Sequence, residues 1–440
     1  MVIMIRSPLL VVMCVGYFLV LLDVTVVNVA LPDIGGTLDT GPAGLQWVVD
    51  GYALALAGLL LVGGTVGDVY GHKRVVITGL VVFGLASLAC GLAPGAGWLV
   101  GARFAQGVGA ALLLPGTLAI ITDAFPDRAA QARAIGVWAG VGSAALPAGP
   151  LLGGLLVEWL GWRAVFFLNV PIVLVAAVVT VRLVKAHPRT GDRRVDWLGA
   201  ALGTALLATV TYAVIEAGAW LLVVAAVLLA VFVAVERVTA DPMLPPKLFR
   251  RPNFSVANAA AGVMNLCTLG LLFLVTQYLQ TVQHHSALAA GVALLPLFLP
   301  LTVLAPFAGR IAGRVGPRWP MAAGLSMAGA GFALLTVLTA GSSYWTLLPA
   351  LLLWGCGLGV LTPAVVAAAV GAVRERSGLA SAVNNTARQA GGAVGIAAYG
   401  AVAGSAANAR LFVSGMHVAG LVSVVLFLVA ALSTVLILAN

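Results

Sequence analysis

The apolar residues of this chain arrive in blocks of about twenty, separated by short polar turns, and that spacing constrains the fold more than any other feature. Twenty residues at 1.5 Å each cross the ~30 Å hydrocarbon layer of a bilayer as a helix. In lipid only helices and closed barrels satisfy the backbone, and a barrel strand alternates apolar and polar residues instead of running solid. Charged residues make up 8% of the 440-residue chain, against roughly 25% in a soluble domain, too few to cover a water-facing surface. The expected fold class is an all-α polytopic membrane protein.

Fourteen candidate spans can be marked, near 9–32, 46–66, 75–93, 97–121, 134–157, 163–183, 197–215, 219–235, 255–280, 288–309, 319–340, 345–370, 378–403 and 418–438. The first follows Met1–Arg6 as a signal peptide would. It lacks a following small-residue cleavage site and contains Asp23, so it is read as a retained helix.

The net charge of +9 is a topological signal. With the N-terminus taken as cytoplasmic, 19 of 23 Lys and Arg fall on one face. They are Arg6, Lys73, Arg74, Arg128, Arg133, Arg182, Lys185, Arg189, Arg193, Arg194 and Arg237, with Lys247, Arg250, Arg251, Arg310, Arg314, Arg318, Arg374 and Arg376. Only Arg163 and Arg410 reach the other face, and Arg103 and Arg388 fall inside spans. This positive-inside bias requires an even number of spans and two cytoplasmic termini. Trp47, Trp98, Trp159, Trp162, Trp220 and Trp345 are expected as interfacial anchors at the outer ends. The basic excess therefore does not report a nucleic-acid partner. Cys14, Cys90, Cys267 and Cys356 lie in apolar spans without ligand-like spacing and read as packing residues.

Basic stretches at 184–196 and 236–252 divide the chain. The expected units are residues 1–183 with six spans, 184–252 with linkers and two additional spans, and 253–440 with six more. Gly64, Gly67, Asp68, Gly71 and Lys73 precede Gly309, Ala312, Gly313, Gly316 and Arg318 by a constant 245 positions. That offset fits an internal repeat with a site between the halves. It equally fits the Gly and Arg that any tight cytoplasmic turn uses.

Fourteen acids are few enough to take singly. Most fall in loops or at interfaces: Asp33, Asp39, Asp127, Glu158, Asp192, Asp196, Glu216, Glu236, Asp241 and Glu375; Asp123 ends the fourth span. Asp23 lies well inside the first span, nine residues before Pro32. A carboxylate at that depth costs on the order of 2.5–3.5 kcal/mol on insertion scales, so it should face a cavity or a partner. It is read as a proton carrier, as the structural partner of Arg103, or as both. Asp50, a turn into the second span, is either a site for a cation or proton or an interfacial residue reaching water. Asn28, Asn265, Gln277, Asn385 and Arg388 are the further polar candidates within spans, the last two beside Asn384 and Gln389. The fifth span carries Gly149, Pro150, Gly153 and Gly154. Glycines let another backbone pack closely and Pro150 should kink the helix. A moving seal between halves and ordinary tight packing both fit. No phosphate-binding loop occurs, and His72, His187, His284, His285 and His417 lie near membrane surfaces at no metal-binding spacing. Neither a metal nor another cofactor is expected.

Several of these segments together resemble a known family. Leu22–Asp23–Val24–Thr25–Val26–Val27–Asn28–Val29–Ala30–Leu31–Pro32 resembles the first-helix signature of the 14-span drug/proton antiporters of the major facilitator superfamily. Gly67–Asp68–Val69–Tyr70–Gly71–His72–Lys73–Arg74 is similar to the superfamily's loop motif between helices two and three. Arg103 to Gly109 resembles its fourth-helix motif, and Gly149 to Gly154 its fifth-helix antiporter motif. Trp162 to Pro171 resembles the start of its sixth helix, and Asn384 to Gly392 also matches. The resemblance implies a major facilitator fold of two six-helix bundles plus two additional central helices. It implies export by alternating access, driven by inward proton flow. On that likeness Asp23 has a proton or substrate role, Arg103 takes part in proton coupling, and Asp68 with Asp123 belongs to a latch in the loop motif. His72 replaces the usual Arg, and the last external loop is short.

The expected activity is proton-coupled export of small hydrophobic or cationic organic molecules by a monomer in a bacterial inner membrane, without enzymatic chemistry. A major facilitator importer or a narrow-substrate exporter of a metabolite or self-made natural product is the nearest alternative. A lipid-modifying enzyme would need a cluster of acids or histidines at one interface. A passive channel would need a polar stripe through several spans.

Overall fold

A computed structural model describes residues 8–125, 127–184, 195–216, 218–373 and 377–438. Arg6, Lys185, Arg189, Arg193, Arg194, Arg374, Arg376, His187, Asp192, Glu375 and most of the first basic stretch lie outside the described residues, as does the side chain of Arg128.

Each apolar block forms a helix, because in hydrocarbon the backbone must satisfy itself. The first six are α1 (Pro8–Leu38), α2 (Pro42–Tyr70), α3 (His72–Gly91), α4 (Ala96–Ala124), α5 (Arg128–Leu160) and α6 (Arg163–Leu183). Next come α7 (Trp197–Ile215) and α8 (Ala219–Val238). The last six are α9 (Pro252–Val282), α10 (Ala287–Val315), α11 (Arg318–Leu335), α12 (Tyr344–Ala372), α13 (Ser377–Ala403) and α14 (Ala409–Ile437). Turns cap what they leave: the Asp127, Asp196, Ser286 and Asn408 side chains accept from backbone N–H groups three residues on.

Twelve of these helices are long and apolar enough to cross a membrane. The expected fourteen are not all carried by that criterion. The two that fall short are α11, which opens on Arg318–Trp319–Pro320, and α13, which holds Asn384, Asn385, Arg388 and Gln389. Both pack among apolar neighbours, so their polarity lowers mean hydropathy without taking them out of the bundle. Large apolar side chains such as Val223 (67% exposed) and Leu432 (59%) line the outer helices, a surface that lipid, not water, matches.

Within the first half α2 packs on α4, α4 on α3 and α1 on α5; within the second, α9 packs on α13, α11 on α12 and α10 on α12. The halves meet along α2 with α13 and α5 with α10. At the face carrying the 39–41 and 283–286 turns, Gln280 Nε2 donates to the Val29 carbonyl at 2.9 Å. There Glu158 of α5 accepts from Ser286 Oγ at 2.8 Å and from Leu288 N at 3.2 Å. The α7–α8 hairpin lies outside both bundles, with α7 against α2 and α13 and α8 mostly exposed.

The two halves turn their corners alike. Gly71 after α2 has φ +92° and Gly316 after α10 has φ +81°, 245 positions apart as the sequence offset requires. The basic residue two places on reaches back in each case: Lys73 Nζ donates to the Val181 carbonyl at 2.8 Å and Arg318 Nη2 to the Val435 carbonyl at 2.5 Å. Each thereby ties the second turn of its half to the last helix of that half.

Two placements differ from expectation. Trp162 is buried under Arg163 and edge-on to Phe166 instead of sitting at the interface, its backbone N donating to Asp33 at 3.1 Å. The local turn folds it inward, leaving Trp98, Trp159, Trp220 and Trp345 exposed as anchors. Glu236 is buried as well, because the chain after α8 doubles back and Leu244 N donates to it at 2.9 Å.

At backbone angles essentially reserved for glycine an added Cβ costs of order 1–3 kcal/mol. Gly71→Ala and Gly316→Ala are therefore each expected to destabilise by about that amount, read as lowered melting temperatures of the purified protein, while Gly36→Ala, inside helix α1 with nothing near its added Cβ, leaves melting the same or slightly higher.

Candidate functional site

Asp23 stands fifteen residues into α1 and Arg103 seven residues into α4, and both are enclosed, at 1% and 0% exposure. Arg103 Nη1 donates to Asp23 Oδ2, and also to Gln106 Oε1 at 2.7 Å. Its Nε donates to the Val48 carbonyl at 3.0 Å. Gln106 Nε2 donates to Asp23 Oδ1 at 2.8 Å and to Ser87 Oγ at 2.9 Å. Asn169 Nδ2 reaches both of those oxygens at 3.4 Å, and Cys90 Sγ donates to Gln106 Oε1 at 3.7 Å. The guanidinium faces the Tyr52 ring at 4.4 Å and the Phe166 ring at 5.8 Å. Five helices, α1, α2, α3, α4 and α6, thus close on one ion pair.

Local sequence explains the convergence. Arg103 and Gln106 are three apart on one face of α4, and Ser87 and Cys90 are three apart on α3. Gly107 has no side chain to hold α4 off the Tyr52 carbonyl of α2, and Gly109 lets α3 close on the same helix. Arg cannot give up its proton, so any proton the cluster accepts goes to Asp23. Protonation then breaks the ion pair and leaves one uncompensated positive charge in a buried site. The arrangement can hold one proton and convert its arrival into an electrostatic imbalance.

The sequence model of the Major Facilitator Superfamily matches residues 13–396 and 261–439. The chain belongs to this superfamily. Its members are transporters, not enzymes. Multidrug resistance protein Stp of Mycobacterium tuberculosis is 37% identical over 411 residues, 90% of this chain and 75% of that protein. Puromycin resistance protein pur8 of Streptomyces alboniger is 39% identical over 416 residues, 91% and 82% of the two chains. Methylenomycin A resistance protein of Streptomyces coelicolor is 36% identical over 401 residues, 88% and 83%. Two solved structures share the fold at low identity. One is the nucleoside transporter NupG (TM-score 0.70, 11% identity, 98% of this chain and 100% of that one). The other is a bacterial homologue of the lysosomal transporter Spinster, described as inward-facing and occupied (TM-score 0.69, 17% identity, 98% and 96%).

The remaining superfamily-motif and candidate residues are dispersed around this cluster. Asp50 is fully buried on α2, and neither of its carboxylate oxygens has a partner. It is not a member of the Asp23 network, and one turn before it Gln46 abuts Gly400 of α13. Asn28 Nδ2 donates to the Val24 carbonyl at 2.8 Å, leaving its Oδ1 buried without a partner. Gln277 accepts from Thr281 Oγ1 at 3.4 Å. Asn265, Asn385 and Arg388 are half-buried on α9 and α13. In the loop motif, Gly71 N donates to the Gly67 carbonyl at 2.9 Å, and Asp68 lies 3.4 Å from His72. Lys73 is bonded as described, while Arg74 and Asp123 are exposed. Gly149 and Gly153 press α5 onto Thr25 and Val26 of α1, and Gly154 and Pro150 meet Leu288 and Gly291 of α10, so the fifth helix touches both halves. From sequence Cys90 reads only as a packing residue, Gln106 and Asn169 stand within motif segments without a role of their own, and Ser87 carries no signal. The three-residue spacing of Arg103 and Gln106 is the local pattern that points to this cluster.

Removing one partner of a buried pair costs about 3–5 kcal/mol when the other stays charged. Asp23→Asn strands a charge that Arg103 cannot shed, so it is expected to destabilise by that amount. Arg103→Gln should cost less, since Asp23 can take a proton. The double variant should recover most of the loss. Thermal unfolding of the three variants, read as a double-mutant cycle, checks the asymmetry; equal costs for the two single variants would contradict it.

Proposed function

We propose that this chain is a proton-coupled antiporter that exports small hydrophobic organic molecules across a bacterial inner membrane by alternating access. The observation that carries the reading is the enclosed Asp23–Arg103 pair, a carboxylate able to accept a proton beside a cation that cannot release one. The names of relatives, which speak of resistance to several drugs or to puromycin and methylenomycin A, support export of such compounds. The two polar helices α11 and α13 complete fourteen spans, with both termini and the basic face in the cytoplasm. Residues 1–183 and 253–440 act as the two moving bundles, and 184–252 supplies the linkers and the α7–α8 hairpin. The transporter works as a monomer, uses no cofactor and draws on the proton gradient.

The energetics suffice. One proton moving through 100 mV releases ~2.3 kcal/mol, about a fifty-fold substrate gradient per proton at balance. Proton arrival at Asp23 frees Arg103, and the imbalance is relieved when α1 and α4 shift. Asp50, sealed near the α2–α13 seam, is the second candidate proton site. A narrower reading, in which one compound is the substrate, is favoured by the relatives named for a single antibiotic.

The test is ethidium efflux from energised cells expressing the chain. Export should collapse with a protonophore and fall at least tenfold in Asp23→Asn, with Asp50→Asn showing a smaller loss. Efflux unaffected by the protonophore would exclude proton drive.

A further inference from the structure

Among the described residues, every atom hydrogen-bonded to the Asp23 carboxylate is a donor. Arg103 Nη1 points at Oδ2, while Gln106 Nε2 at 2.8 Å and Asn169 Nδ2 at 3.4 Å point at Oδ1. That shell suits a charged carboxylate and leaves a protonated one with a hydrogen and no acceptor for it. Asp23 is buried and cannot turn to water, and an enclosed O–H without an acceptor is costly. Loading a proton therefore requires a neighbour to exchange a donor for an acceptor.

Arg103 has no acceptor to offer in any orientation. Of the two amides Gln106 is the closer, and it is bonded at both ends. Its Nε2 also donates to Ser87 Oγ at 2.9 Å. Its Oε1 accepts from Arg103 Nη1 at 2.7 Å and from Cys90 Sγ at 3.7 Å. These partners fix which end is which, since only the nitrogen can face the carboxylate and only the oxygen the guanidinium. Half a turn of the amide exchanges the two ends with little change of shape. The oxygen then accepts from the Asp23 carboxyl and from the Ser87 hydroxyl, and the nitrogen faces Cys90 and Arg103. A hydroxyl and a thiol can each give or accept a hydrogen bond, so Ser87 and Cys90 tolerate the exchange; Arg103 can only give. It now meets a second donor where it had an acceptor, at the moment when it loses the Asp23 charge. Its Nε still donates to the Val48 carbonyl and its plane still faces the Tyr52 ring, so α1 lets it go while α2 keeps hold.

We propose that Gln106 is a positioning residue for proton coupling: half a turn of its amide, made as Asp23 takes a proton, releases Arg103. The proposal rests on the reading of Asp23 as the proton carrier and names the part that reports its loading. The charged and titratable groups facing the carboxyl are Arg103 on α4, Cys90 on α3 and Tyr52 on α2. From α6 comes the neutral Asn169, and α5 meets the next residues of α1 through Gly149, which has no side chain. Among the described residues Gln106 alone bonds to both members of the ion pair.

The test is infrared difference spectroscopy between acid and alkaline pH on the purified full-length chain in lipid nanodiscs, with glutamine side-chain carbonyls isotope-labelled. The natural chain is expected to gain a protonated-carboxyl band that Asp23→Asn lacks. A labelled glutamine carbonyl band should shift with the same pH midpoint, and that shift should be missing in Gln106→Leu. Gln106→Leu should keep the Asp23 carboxyl band, since the acid is intact, yet lose about tenfold in protonophore-sensitive ethidium efflux. An Asp23 band that titrates while no glutamine carbonyl moves overturns the proposal, and the natural chain decides this even where Gln106→Leu does not fold. A glutamine shift that persists in Gln106→Leu, or efflux at the natural rate in that variant, overturns it equally. Absence of the Asp23 band from the natural chain is a different failure: it removes the proton reading, and this proposal with it.

Discussion

A single buried ion pair organises the first half of the molecule. In hydrocarbon neither Asp23 nor Arg103 can remain alone, and the five helices around them are placed so that both carboxylate oxygens and the guanidinium Nε and Nη1 have hydrogen-bond partners. The amides of Gln106 and Asn169 and the hydroxyl of Ser87 take up what the ion pair leaves over. A well-packed apolar set could be as stable as such a network. Its presence here is therefore better explained by what a carboxylate can do than by stability: it changes charge, whereas a leucine does not.

Close helix packing does the rest, and the two halves repeat it. Gly107 and Gly109 bring α4 against α2 and α3, and Gly391 and Gly395 bring α13 against the Gly262 and Leu266 carbonyls of α9. The corner glycines Gly71 and Gly316, with Lys73 and Arg318 reaching back to the last helix of each half, show the same solution twice. What the halves do not share is the charge: the acid–base cluster lies in the first, and no ion pair is seen among the described residues of the second.

Much of this was legible in the chain because membranes make charge scarce. Asp23 and Arg103 stood out as ions in apolar spans, and their pairing followed from the cost of leaving either alone. The offset of 245 positions could have been mere turn chemistry; the matched positive-φ glycines and matched back-bonds give it structural content. Gln106, Ser87, Asn169 and Cys90 were not legible, since neutral residues carry no such cost and only the crossing of α3, α4 and α6 brings them together. Trp162 looked like any interfacial aromatic until the turn after α5 folded it inward, and Glu236 like a loop acid until residues 243 and 244 returned to it. The sequence marked α11 and α13 as spans, yet neither meets the length-and-hydropathy criterion that the other twelve helices meet. Helices surrounded by protein can hold polar residues that lipid-facing helices cannot.

The arrangement also bears on how two events in one protein can be linked. Asp23 and Tyr17 share α1, six residues or ~9 Å apart along its axis, and 3.6 residues per turn puts them on different faces. Asp23 looks toward α4, whereas Tyr17 stacks on Trp138 of α5. A proton at Asp23 weakens the hold of that residue on Arg103 and so alters how α1 sits on α4. Because α1 also packs along α5, whose Pro150 and Gly154 meet α10 of the other half, a change at the ion pair has a packed route to the seam between the halves.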